Sequence, residues 1–112
     1  MDDKIKSLFQ SVYQMSFRYL IEQKRDIVVQ VKEIIPQIQE FVLWFLEGNR
    51  FGIEDELYQE MQNYVLQVLS DIMDAITQND RVLLHDAIAY GLMEFLRIFI
   101  DSAQEEIEDG HI

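Results

Sequence analysis

Residues 54–78, EDELYQEMQNYVLQVLSDIMDAITQ, contain neither glycine nor proline. Apolar side chains recur there at steps of three and four: Tyr58, Met61, Val65, Val68, Leu69, Ile72 and Ile76. With 3.6 residues per turn, such steps put all of them on one side of a helix, whereas a half-buried strand needs strict alternation. Glu54, Asp55 and Glu56 fall in the first turn, where negative charge suits the positive end of the helix dipole. A helix over 54–78 is therefore predicted, and the same period extends through the rest of the chain.

Towards the N-terminus, a helix over 3–23 has Ile5, Leu8, Phe9, Val12, Met15, Tyr19 and Leu20 as its stripe. A second over 26–47 starts at Asp26 as N-cap and aligns Ile27, Val31, Ile34, Ile38, Phe41 and Phe45. Residues 22–26 between them are polar and contain no breaker, so a tight turn is expected over one bent helix. Pro36 removes a helical hydrogen bond and disfavours helical geometry at Ile35, which predicts a kink or a restart of helix two there. Gly48-Asn-Arg-Phe-Gly52 reads as a loop, with a glycine placed at each end to stop one helix and start another.

On the C-terminal side, Asn79 or Asp80 caps a fourth helix over 80–104, with the stripe Leu84, Ile88, Leu92, Phe95, Leu96 and Phe99. Residues 105–112 are expected to fray, since four acids crowd a negative helix end. Four amphipathic helices joined by short links predict an all-α fold, an antiparallel four-helix bundle forming a single domain over 1–112.

The 112-residue chain contains 49% hydrophobic residues and no cysteine, which provides for a core and excludes disulfides and thiolate metal sites. Its longest apolar run, Phe41 to Leu46, is far short of the ~20 residues that cross a bilayer. The opening Met1-Asp2-Asp3-Lys4 lacks the basic start and apolar stretch of a secretory signal. These features predict a cytoplasmic protein without a membrane partner.

Charge is divided unevenly: residues 1–52 hold seven basic and seven acidic side chains, whereas 53–112 hold only Arg81 and Arg97 against fourteen acids. The net charge of −12 thus belongs to the second half, which repels nucleic acid and favours a basic protein surface. Glu56, Glu60, Asp71 and Asp74 share one polar arc of helix three with Asn63, Gln67 and Gln78, either as a solubilising face or as an acidic docking strip. On helix four, Glu94, Arg97 and Asp101 are spaced for local pairing.

Motifs for nucleophile elbows, phosphate loops, dinucleotide binding and zinc proteases are absent. Of the two histidines, His111 falls in the tail, and His85 is expected at the surface or its boundary without a chemical role. Glu108 and His111 have the spacing of one half of a carboxylate-bridged di-metal site, but no second pair accompanies them. Accordingly no catalytic, metal or cofactor-binding residue is assigned, and the protein is read as not an enzyme.

Apolar residues off the stripes give a second signal. Counting 100° per residue, Phe17 and Ile21 fall on the polar side of helix one, and Val29, Leu43 and Trp44 fall away from the core of helix two. Together they suggest a patch that a partner or second copy covers. Tyr58, Tyr64 and Tyr90 read as boundary residues that keep a wet hydroxyl.

The segment Ile76-Thr-Gln-Asn-Asp-Arg-Val-Leu-Leu-His-Asp-Ala-Ile-Ala-Tyr90 resembles the inter-helix segment of short, acidic, all-helical proteins of unknown function from Gram-positive bacteria, in which an Asn-Asp turn precedes an apolar helix ending in an aromatic residue. Gly91 stands where the resemblance leads to an acid. It implies a bacterial helical protein and carries no catalytic residue. The expectation is a non-enzymatic interaction module, adaptor or chaperone-like, that binds a basic protein or forms a homodimer. An acidic inhibitor or antitoxin masking a basic surface is the alternative, and a bundle enzyme holding a metal or small ligand is a remote one.

Overall fold

A computed structural model of the chain describes residues 1–23 and 26–100. It contains α1 (Asp2–Leu20), α2 (Ile27–Leu46), α3 (Asp55–Gln78) and α4. The last begins as Arg81–Asp86, widens into a π-helical turn over Ala87–Leu92 and resumes as α-helix across 93–100. No strand occurs among the described residues. The predicted end of helix four, the fraying tail, Asp101, Glu108 and His111 all lie outside them.

Side-chain pairs establish the directions of the helices. Early α1 meets late α4 where the Arg97 guanidinium lies 6.0 Å from the Phe9 ring, and late α1 meets early α4 where Ser16 bonds His85. The Phe45 and Tyr58 rings, 5.2 Å apart, join the end of α2 to the start of α3, while Tyr64 stacks on Phe95 at 6.0 Å between α3 and α4. Each of these neighbours runs antiparallel. Being both antiparallel to α3, α2 and α4 run parallel to each other across the interior, where Phe41 and Phe45 each pack against Phe95 and Phe99. These are the pairings of an up-down-up-down four-helix bundle.

Every predicted stripe residue of α2 is buried, as are Leu84, Ile88, Leu92, Phe95 and Leu96 of α4. Leu20 departs from the expectation: the helix ends there and its side chain is 56% exposed. A turn does separate α1 from α2, with Gln23 at φ 56° reversing the chain. α2 continues through Pro36 as one helix, so no restart occurs. Pro36 is exposed, and its ring meets solvent instead of a packed neighbour.

The capping residues divide the expected roles. Asp26 makes no cap hydrogen bond, and its carboxylate instead accepts from the Gln30 side chain at 3.0 Å. Asp80 does cap, accepting from the Leu83 amide at 3.0 Å. Asn79 closes α3 in a left-handed conformation, and the Asn79 and Asp80 amides donate to the Ile76 and Ala75 carbonyls, which is the Schellman pattern.

The π turn has a cause in packing. Leu84, Ile88, Leu92 and Leu96 recur strictly at fours, and each such step overshoots an α turn by about 40°. A turn closed by i→i+5 bonds holds more residues, so steps of four stay aligned on the core. Gly91, within this turn, lets α4 lie close to α3: a Cβ added there would sit 3.0 Å and 3.2 Å from the Val68 methyls. Tyr64 on α3 donates its hydroxyl to the Tyr90 carbonyl at 3.4 Å, partly satisfying the widened turn.

Candidate functional site

The sequence-predicted partner residues separate into distinct places. Phe17, Ile21 and Val29 are exposed near the α1–α2 turn. Leu43 is also exposed, but it stands fourteen residues from Val29 on one helix, about 21 Å by the helical rise. Trp44 is half-buried and belongs to an aromatic cluster, with its ring 5.4 Å from Phe51 and 5.7 Å from Phe99. The Arg50 guanidinium covers its outer side, 4.9 Å from the ring centroid. The five apolar residues therefore do not form one patch.

Glu56, Glu60 and Asp74 are exposed on α3, and half-buried Asp71 accepts from Gln67 at 2.9 Å. By the 100° step they share an arc of about 60°, spread over about 27 Å of helix. Glu60 is the member that borders an apolar depression.

That depression runs between α3 and α4. Leu57, Met61 and Tyr64 contribute from α3, at spacings that bring them to one side, and Phe95 and Ile98 contribute from the resumed part of α4. Leu57 and Tyr64 are each 45% exposed and Ile98 49%, with Tyr64 stacked on buried Phe95. Glu60 stands on one rim and Glu94 on the other. Glu94 is paired with Arg97 of its own helix at 3.5 Å. The α4 wall is held by the Gly91–Val68 approach and by the Tyr64 contacts with Tyr90 and Phe95.

This groove is not legible in the sequence, because Leu57 and Ile98 lie at the margin between stripe and polar arc, where periodicity does not say which helix is the neighbour. The pairing of α3 with α4 converts two marginal residues into one surface.

His85 corrects an expectation. It is buried at 3% exposure, and its Nε2 lies 2.8 Å from the hydroxyl of Ser16, itself buried. Tyr19 stacks on the imidazole at 4.8 Å, and Tyr90 meets it edge-on at 6.2 Å. Asp86 Oδ1 is 3.7 Å from Nδ1, beyond hydrogen-bond length. A serine beside a histidine is the start of a nucleophilic arrangement, yet both side chains are sealed from solvent, so the pair joins α1 to α4 and presents no hydroxyl to a substrate. Tyr58 is likewise buried rather than wet, its hydroxyl donating to the Phe45 carbonyl.

Among the described residues, no three His, Asp or Glu side chains gather closely enough to hold a metal ion. No described helix is long and apolar enough to cross a membrane. No family model, curated protein or solved structure matches the chain.

Proposed function

We propose that this protein is a non-enzymatic interaction module of the cytoplasm, adaptor or chaperone-like, that docks a protein partner on the groove between α3 and α4. The observation that carries the reading is the juxtaposition of exposed Leu57, Tyr64 and Ile98 with Glu60 and Glu94. Apolar contact supplies affinity in such a groove, and the flanking carboxylates supply orientation and an electrostatically steered approach. The acidity of residues 53–112 supports it, because a field of that sign accelerates encounter with basic proteins and repels phosphate backbones.

The test is site-specific photo-crosslinking in the producing cell, with the reactive side chain placed at Leu57 and, in a parallel strain, at Leu43. A discrete adduct from position 57 and none from position 43 is expected. Silence at 57, or equal adducts from both positions, would refute the docking reading.

A further inference from the structure

The α3–α4 groove also specifies the chemistry of what it receives. Both walls are helices, whose backbone groups beyond the first turn of α3 are consumed in helical hydrogen bonds, so the groove has no sheet edge to which a strand could be added. An extended segment laid over Leu57, Met61 and Ile98 would bring unpaired backbone polar groups onto an apolar floor. A helix arrives with its backbone already satisfied. The α3 side of the floor spans i, i+4 and i+7, about 10 Å, which matches the stripe that two turns of an opposing helix present.

The rim decides the charge of that helix. Glu60 and Glu94 flank the floor and Glu56 lies one turn before Glu60 on α3, while no lysine or arginine is among the described residues that line it. Arg97, the nearest cation in sequence, is engaged by Glu94 and by the Phe9 ring on the α1 side. A neutral or acidic occupant would partly desolvate Glu60 and Glu94 and add no cation to the rim, where Glu94 has only its 3.5 Å pair with Arg97. A second copy of the chain would bring another net −12 into contact.

From this complementarity we infer that the groove binds a cationic amphipathic helix of a partner protein, with its apolar stripe on Leu57, Met61, Tyr64, Phe95 and Ile98 and its Lys or Arg side chains on Glu60 and Glu94. This inference rests on the docking reading above.

The test uses the full chain, isotope-labelled, and three synthetic peptides of about 18 residues, long enough to form a helix of several turns. One carries leucines at i, i+3, i+4 and i+7 between flanking lysines. The second replaces the lysines by glutamate, and the third replaces the leucines by glutamine. The lysine peptide is expected to shift the resonances of Leu57, Tyr64 and Ile98, and to bind at least about tenfold more tightly than the other two. Glu60→Lys with Glu94→Lys should weaken it by about tenfold or more. Glu22→Lys with Glu33→Lys, the same change in net charge at exposed positions elsewhere, should weaken it by less than about twofold at physiological salt.

Equal binding of either altered peptide, or equal loss in both double variants, would overturn the inference, as would an adduct of the chain with itself from position 57. If a native partner still crosslinks at 57 while the peptides fail, only the occupant's chemistry is wrong. Absence of any adduct removes the docking reading itself.

Discussion

At the scale of single residues, the interior contains one polar element that hydropathy does not reveal. Ser16 occupies a position of α1 that continues the buried series Ile5, Leu8 and Val12, and His85 adjoins Leu84 of the α4 stripe. Each polar group is tolerable there because it has the other as partner. Ser16→Ala leaves the His85 ring nitrogen without that partner and should cost about 1–3 kcal/mol, the usual penalty for orphaning a buried polar group. Denaturant unfolding measures it, and Ser16→Ala combined with His85→Leu is expected to recover part of the loss because neither polar group then remains. A serine on a helix and a histidine sixty-nine positions away share no local signal, so their partnership was not legible in the sequence.

Gly91 is the second residue-scale feature. Its missing side chain reads as a weakness in a helix until Val68 is found against it. Gly91→Ala gains helix propensity but must displace two valine methyls, and crowding of that kind costs about 1–3 kcal/mol. The expected result is a net loss in the natural background and a gain when the same change is made in a Val68→Ala background, which a double-mutant cycle reads as a favourable coupling of roughly 1 kcal/mol.

At the scale of elements, the caps and the proline distinguish sequence pattern from structural use. Asp26 and Asp80 are equally good N-cap residues on paper, yet only Asp80 accepts a backbone amide. Asp80→Ala should therefore cost about 1 kcal/mol and Asp26→Ala almost nothing, as thermal or denaturant unfolding will show. Pro36 lies inside an unbroken α2 and is exposed. Replacing it with alanine restores a helix donor and removes the ring's conflict with the carbonyl of Lys32, so Pro36→Ala should raise stability by about 1–3 kcal/mol.

Helix existence, face and approximate bounds were legible because four long periodic stripes leave no other arrangement for their apolar residues. The π turn was less so. The strict fours of Leu84, Ile88, Leu92 and Leu96 were its signal, and they become readable once the cumulative rotation is counted.

At the scale of the whole molecule, a net charge of −12 remains after every Lys and Arg is counted, including those in exposed pairs such as Lys4 with Glu40 and Arg50 with Glu47. Self-repulsion should then weaken the folded state at low ionic strength, and the melting temperature should rise as salt screens it. A melting temperature that fell or stayed level across that range would show that the acidic arc is internally compensated.

The placement of the surface also belongs to this scale. Off-stripe residues such as Phe17 and Leu43 were visible from the 100° count, but only the arrangement of helices shows that they stand apart while Leu57 and Ile98 meet across α3 and α4. The central claim, that the partner covers this groove, is tested most directly by hydroxyl-radical footprinting of the free protein and its native complex. Protection is predicted at Leu57, Tyr64 and Ile98, with Phe17, Val29 and Leu43 unchanged. Protection confined to those last three, with the groove as reactive as in the free chain, would contradict it.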